Sequence, residues 1–369
     1  MKFLLRTSLG ETITIDGAKI GASGARVQFA VDLGHGHLRP GLINAHDHLY
    51  RNHYPRLGSP PYRSAYEWAK DIHSRFAPQI ERAEALERGD AVLFGALKNL
   101  IGGVTCVVHH DRWDASFCNR FPLRLARVRV AHSLRLERNL TEAIAGDRLT
   151  RRLALSIHLA EGTDREAADE VREAGRKGIV NDQLIAVHAI GVDSQSIELL
   201  RTAKAAVVWC PTSNNFLFGR TTPPTLFEAG IDVLLGTDSL LTGEGTLLDE
   251  LRQARETGYI DDERLRHAVG TVAARRLGLQ EPTLAPDSAA DIVFLRRPLF
   301  EAHPRDVGLV LVRGKPRFGD VEFADVFDRS AVPVEPLQVG GIPKLVAAPL
   351  ATVAAKVLEL SPECTRIFQ

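Results

Sequence analysis

Between about residue 40 and residue 280 the chain alternates two kinds of segment. Short β-branched runs at residues 41–44, 104–108, 128–131, 153–157, 184–187, 205–209 and 232–235 read as strands. Charged amphipathic stretches such as 81–100, 164–175 and 194–204 lie between them. In the last of these, Ile197, Leu200 and Ala203 share one side of a helix. Strand followed by helix, repeated, predicts parallel strands joined by crossovers. About eight such units in roughly 240 residues predict an α/β fold built as a closed (β/α)8, TIM-like barrel over residues 40–286.

The two ends of the chain are patterned differently. Residues 1–39 carry strand-like runs broken by Gly17, Gly21, Gly24, Gly34 and Gly36. Residues 287–330 repeat that style, with apolar runs at 291–295 and 307–314. A small β-sandwich subdomain built from both chain ends is the simplest expectation. Residues 331–369 form a C-terminal tail that the pattern leaves unplaced, although the Ala- and Val-rich run at 345–360 suits a packing helix.

Composition narrows the partners. The chain has 369 residues, 44% apolar and 25% charged, with Lys+Arg and Asp+Glu equal at 46 each. No net field favours nucleic acid or an anionic membrane, so a small-molecule substrate is expected, with a homodimer as the common assembly. Cys106, Cys118, Cys210 and Cys364 show no paired-ligand spacing and read as reduced thiols. The first residues make too short an apolar run for a signal peptide, and no stretch approaches the roughly 20 apolar residues of a membrane span. A cytoplasmic location is the expectation.

Four segments end apolar runs with chemically capable side chains. The first is Leu42-Ile43-Asn44-Ala45-His46-Asp47-His48, two histidines two apart. Residues i and i+2 of a strand face the same way, so both imidazoles converge, making half of a tetrahedral metal site. The second run ends in His158, with Glu161 three residues on; the third ends in His188; the fourth ends in Gly236-Thr237-Asp238-Ser239. Singly, His188 reads as a core histidine, Glu161 as a helix N-terminal acid and Asp238 as a turn former. Jointly they occupy the one place in a barrel, the strand ends, where catalytic groups gather.

This arrangement resembles the amidohydrolase superfamily, metal-dependent hydrolases on a (β/α)8 barrel with a small β-sandwich. The resemblance runs from the Pro40–His48 opening to residues 289–293. Residues 158–161, Cys210-Pro211-Thr212-Ser213-Asn214 and Gly236–Ser239 look like its aminohydrolase branch, which includes guanine, S-adenosylhomocysteine and formiminoglutamate deaminases and triazine chlorohydrolases. No lysine stands at a fourth-strand end, where binuclear relatives carry a bridging lysine, and this departure favours one metal. The resemblance implies that His46, His48, His158 and Asp238 hold one divalent ion, Zn2+ ahead of Fe2+. It makes Asp238 the acceptor of the water's proton and Glu161 the acid that protonates a ring nitrogen and then the departing amine. His188 would orient the attacking oxygen or, as in some relatives, join the metal ligands.

The loop from Tyr50 to Arg56 follows the first strand and lies where substrate pockets form. Arg51, His53 and Tyr54 are candidates to clamp a carboxylate or face a planar ring. His109 or His110, after the run at 104–108, is a further substrate-contact candidate; adjacent strand residues face opposite ways, so one of the two is expected in the pocket. Ser133, Asn214 and Asn215 are weaker candidates. The function implied is hydrolysis of a C–N bond, by deamination of an amidine-like carbon in a heterocycle or formimino compound. A cyclic amide, carbamate or chloro-heterocycle hydrolase is the alternative on the same site, followed by a catalytically silent metal-binding scaffold.

Overall fold

The structure, a computed structural model, describes residues 1–118, 121–147 and 149–369. Its centre is a set of parallel strands in two sheets. Arg129–Ser133, Leu155–Leu159, Leu184–His188, Ala206–Trp209 and Asp232–Leu235 form a five-stranded sheet in that order. Leu42–Asp47, Val104–His109 and Arg124–Leu125 form a three-stranded parallel sheet. The sheets meet where Thr237 N and Asp238 N both donate to the His46 carbonyl, at 3.0 and 3.1 Å. The result is a mixed α/β fold with parallel sheets, compatible with a TIM-like barrel.

Both faces of these strands are covered, as parallel sheets require, and the two faces build separate cores. Ile43, Ala45, Cys106, Val108, Ile185, Val187 and Val208 meet inside. Leu42, Val107, Leu155, Ile157, Leu184, Ala186 and Val207 face outward into a core shared with the helices. Strand alternation therefore points Ser156 and His158 inward, between outward-facing Leu155, Ile157 and Leu159.

The strand-like runs fall on strands, with one more than the pattern announces. Arg124–Leu125 is only two residues long, too short for any periodicity to show. The amphipathic stretch at 81–100 is two helices, Ala77–Glu84 and Arg88–Ile101. Leu86, between them, continues the apolar stripe, and neither glycine nor proline marks the break. Helices Arg165–Arg176 and Ser194–Thr202 begin where Asp164 and Asp193 cap the backbone N–H groups of Ala167 and Ser196.

Two further sheets share a second apolar core. One orders Lys19–Ile20, Thr12–Asp16, Lys2–Arg6 and Phe29–Asp32. The other runs Val334–Val339, Ile342–Ala347, Lys315–Asp320, Val307–Val312, Ile292–Leu295 and His37–Pro40. Phe3, Leu5 and Ile15 from the start of the chain pack with Phe294, Leu309, Leu311 and Phe327 from near its end. Residues 331–369 supply the outer two strands of the second sheet, then helix Leu350–Leu360 and the 3-10 segment Pro362–Phe368. That last segment reaches the loops around the strand ends: Cys364 Sγ donates to the carbonyls of Asn52 and Tyr54, and Arg366 Nε to that of Glu244. Among the described residues no helix is long and apolar enough to cross a membrane.

Candidate metal centre

The carboxyl ends of the parallel strands bring His46, His48, His158, His188, Glu161 and Asp238 together. The backbone is bent to achieve this. Ala160, His188, Ala189 and Asp238 have φ of 54°, 73°, 46° and 52°, the left-handed region that non-glycine residues rarely enter. Four such residues at the ends of three strands mark a place where surrounding structure holds strained backbone for a purpose. Close approach matters too: a Cβ at Gly236 would lie 2.7 Å from His46 Cβ, so only glycine lets these strand ends meet.

The ring nitrogens and carboxylate oxygens form two overlapping groups. The ligand atoms of His46, His158 and His188 lie within 4.8 Å of one another, as do those of His46, His48 and Asp238. Asp238 Oδ1 is 3.9 Å from His46 Nε2 and 3.8 Å from His48 Nε2. Glu161 Oε1 is 3.5 Å from His188 Nε2. His158 Nδ1 donates to the His132 carbonyl at 2.6 Å and His188 Nδ1 to Asn214 Oδ1 at 2.8 Å. These bonds place the proton on Nδ1 and leave the Nε2 lone pair of each free, as metal-binding histidines require.

The donor set fits a divalent cation. His46 Nε2 and His188 Nε2 are buried with no hydrogen-bond partner, and His48 Nε2 faces His158 Nε2 at 3.3 Å. Buried polar atoms are ordinarily partnered, so several orphans converging on one point call for something that accepts lone pairs. Burial also pushes the basicity of His46, His48 and His158 well below the usual histidine range, keeping them neutral and able to ligate. Glu161 moves the other way: burial first, opposed by His188 and reinforced by Asp238, raises its carboxyl to about 7.

Beneath the cluster lies a polar network that sequence patterning does not reveal. Lys98, on helix Arg88–Ile101, places Nζ 3.0 Å from Asp47 Oδ2 and donates to Thr237 Oγ1 and the Asp238 carbonyl. Asp47 also accepts from Asn52 at 2.8 Å and Asn99 at 2.6 Å, while Asn44 donates to Thr237 Oγ1. Asp238 Oδ2 accepts from Ser213 at 2.8 Å and Thr242 at 2.9 Å. Glu170 accepts from Ala160 N and from the Tyr66 hydroxyl, fixing the bend that precedes Glu161. The available signal was Lys98-Asn99 interrupting an otherwise apolar helix end.

A cavity of about 270 Å³ opens over the cluster, lined by His48, His158, Glu161 and Asp238. Arg51, Tyr54 and Ser133 line it as well, with Tyr66, Trp68 and His132. His53, His109 and His110 do not. His53 packs its ring 4.4 Å from that of Tyr54 and is buried. The Nδ1 of His109 accepts from Leu49 N at 3.3 Å, and its ring rests against Phe117. The ring of His110 sits 4.3 Å from that of His158, both nitrogens held by Ser156 Oγ and the Ala131 carbonyl at 3.1 Å. Neither of this adjacent pair lines the cavity, although the His110 ring lies among the cluster, 4.7 Å from that of His46 and 5.4 Å from that of His48. Asn214 acts through His188, and its neighbour Asn215 is not among the lining residues.

No protein-family model matches the chain. It is 27% identical over 206 residues to a 5-methylthioadenosine/S-adenosylhomocysteine deaminase of Pyrococcus furiosus, covering 47% of this chain and 48% of that protein. It is 31% identical over 114 residues to a 5'-deoxyadenosine deaminase of Methanopyrus kandleri, covering 27% of this chain and 25% of that protein. The chain thus spans about half the length, or less, of these curated relatives. Among solved structures, a zinc-bound adenosine deaminase from Xanthomonas campestris superposes with a TM-score of 0.65 at 19% identity, over 89% of this chain and 97% of that one. A zinc-complexed atrazine chlorohydrolase from Arthrobacter aurescens gives 0.70 at 18% identity, over 97% and 99%. These two likenesses are likenesses of fold.

Proposed function

We propose that this chain, whose relatives and structural neighbours indicate the aminohydrolase branch of the amidohydrolase superfamily, is a metal-dependent hydrolase that deaminates an amidine-like carbon in a heterocycle or formimino compound. In this reading the eight parallel strands close into a (β/α)8 barrel over residues 40–286. The outer sheets are a β-sandwich subdomain from residues 1–39 and 287–330, extended by the tail. One divalent ion, Zn2+, would be held by His46, His48, His158 and Asp238, supplying a Lewis acid and a water acidic enough to lose a proton near neutral pH.

The observation that carries the reading is the placement of Glu161. Its carboxyl enters the cavity beside His188, next to converging ring nitrogens that have no partner of their own. Ammonia leaves a tetrahedral carbon only after protonation, so a carboxylic acid at that position suits deamination. Asp238 takes a proton from the attacking water while Ser213 and Thr242 hold its other oxygen in place. His188, fixed by Asn214, orients the attacking oxygen or adds a ligand. Glu161 protonates the ring or imino nitrogen, regains the proton that Asp238 took from the water, and passes it to the departing amine. The hydroxyl proton lost as the carbonyl forms returns Glu161 to its acid form. The carbon–nitrogen bond breaks, water supplies the new carbon–oxygen bond, and ammonia departs.

The fold shared with an atrazine chlorohydrolase supports a second reading, displacement of chloride from a ring at the same site. Incubating zinc-loaded protein with purines, pterins, formimino acids and chloro-triazines, with ammonia and chloride measured separately, decides between them. Ammonia release that disappears in Glu161→Gln is expected. Chloride release without ammonia establishes the second reading, and a zinc-loaded protein releasing neither overturns both.

A further inference from the structure

Arg51 is the arginine of the cavity wall, and among the described residues no carboxylate is in ion-pair contact with it. Its Nε donates to the Tyr50 hydroxyl at 2.6 Å, and no other hydrogen bond or ion pair engages the guanidinium. That single bond is itself supported. The Tyr50 hydroxyl is shared with Asp111, Arg88 lies 4.4 Å over the Tyr50 ring, and Arg88 pairs with Asp111 at 3.6 Å. The chain Arg88–Asp111–Tyr50 thus orients one edge of the Arg51 fork and leaves its two terminal nitrogens for the cavity. Beside it stands His132, whose ring centroid is 5.1 Å from that of His158 and whose Nδ1 is buried without a partner. Asp111 and Asp238 act on the guanidinium from beyond contact distance, so its terminal nitrogens lack a direct acceptor. Enclosed next to an unpartnered ring nitrogen, they are costly unless a ligand completes them.

Resting on the deaminase reading above, we propose that Arg51 and His132 form an oxyanion-recognising subsite next to the metal cluster. The substrate is then a compact planar molecule carrying a carboxylate or an ionised ring oxygen close to its amino-bearing carbon. A planar fork matches a planar oxyanion with two parallel hydrogen bonds, which a lysine could not reproduce. Tyr54, Trp68 and Leu241 give flat or apolar walls for the ring. The cavity volume of about 270 Å³ falls below the usual range for ligand pockets, suiting one ring rather than a nucleoside with an extended 5' substituent.

The test reads binding to the zinc-loaded full chain by calorimetry, with benzoate, barbiturate anion, neutral benzamide and neutral 5'-methylthioadenosine as probes. At least one anion is expected to bind tenfold or more tightly than benzamide, and methylthioadenosine more weakly than that anion. Benzoate leading identifies a carboxylate, and barbiturate leading a ring oxygen. Arg51→Met and Arg51→Gln are expected to weaken the preferred anion at least tenfold while benzamide changes less than twofold and zinc content stays constant. His132→Phe should cost three- to fivefold. The proposal is overturned if benzamide or methylthioadenosine binds as tightly as both anions. It is equally overturned if either Arg51 variant that folds, judged by its melting curve, keeps anion affinity within twofold. Because binding is measured, ammonia release from neutral substrates alone sinks this subsite and leaves the deaminase reading standing; anion binding without ammonia release does the reverse.

Discussion

Lys98 and Lys344 are both fully buried, at 0% exposure, and each pairs with an aspartate, yet they serve different parts of the molecule. Lys344 sits on strand Ile342–Ala347 in the outer sheet. It pairs with Asp320 at 2.5 Å and donates to the carbonyls of Arg305 and Val307, fastening the terminal strands to the rest of the sheet. Lys98 sits under the metal cluster, where its partner Asp47 lies between His46 and His48 and its other acceptors belong to Thr237 and Asp238. The aspartates differ as well. Asp320 has a second cation, Arg296 Nη2 at 2.6 Å, whereas beyond Lys98 Asp47 is met by neutral amides, those of Asn44, Asn52 and Asn99. The same buried pair is a fastener in one region and a positioning device in the other, and the difference lies in what stands behind the acid.

Removing Lys98 should therefore hurt most. Lys98→Met leaves Asp47 buried without a cation, a loss of about 3–5 kcal/mol in urea unfolding of the metal-free protein. Zinc affinity, by chelator competition, should fall about 10- to 100-fold, because the carbonyl of Asp238 and the side chain of Thr237 lose their anchor. In Lys98→Met with Asp47→Asn, no buried charge is left unpaired and the asparagine can keep bonds to Asn52 and Asn99. About half of the lost stability should return, while the weakened zinc affinity should not. If affinity recovers along with stability, Lys98 is a fastener like Lys344 and the contrast fails.

That contrast also explains what could be read along the chain and what could not. His46, His48, His158, His188 and Asp238 stand out because strand ends turn distant positions into neighbours, and apolar runs show where strands end. Lys98 is hidden because a lysine in a helix reads as a solvated face, and its contacts with Asp47 and Asp238 are 51 and 140 residues away. His132 is hidden differently. It directly follows the run at 128–131, but a lone histidine there, with no second ligand type beside it, reads as an ordinary core residue. His109 and His110 part as the strand period expects: the His110 ring joins the cluster while His109 turns to Phe117, and neither lines the cavity. The tail, residues 331–369, carries no motif, and its place emerges only from pairing with strand Lys315–Asp320.

Lys344→Met should destabilise the protein less, by about 1–3 kcal/mol, since Arg296 still neutralises Asp320 and the chief loss is two unsatisfied carbonyls. Zinc affinity should stay within twofold of wild type in the same chelator assay. A larger effect on zinc than on unfolding would mean that the outer sheet positions the metal site, erasing the distinction between the regions.

Glu250 sharpens the comparison because it is a buried acid with no ion-pair partner among the described residues, Lys98 acting on it only from a distance. Its carboxyl is 0% exposed and accepts from Thr212 N at 3.1 Å and from the Thr212 hydroxyl, on the segment that carries Ser213 and Asn214. Burial, only partly offset by these bonds, raises it from 4.5 to about 8. Below about pH 4.5 both folded and unfolded states hold the proton, so its contribution to stability is complete. Between there and about pH 8 the unfolded chain ionises first, and stability falls as pH rises. Wild type should therefore lose on the order of 2 kcal/mol relative to Glu250→Gln between pH 6 and pH 8, read from urea midpoints of the metal-free proteins. Parallel pH curves for the two would show that folding does not shift the titration of this acid, and that the fold offsets its burial with a counter-charge.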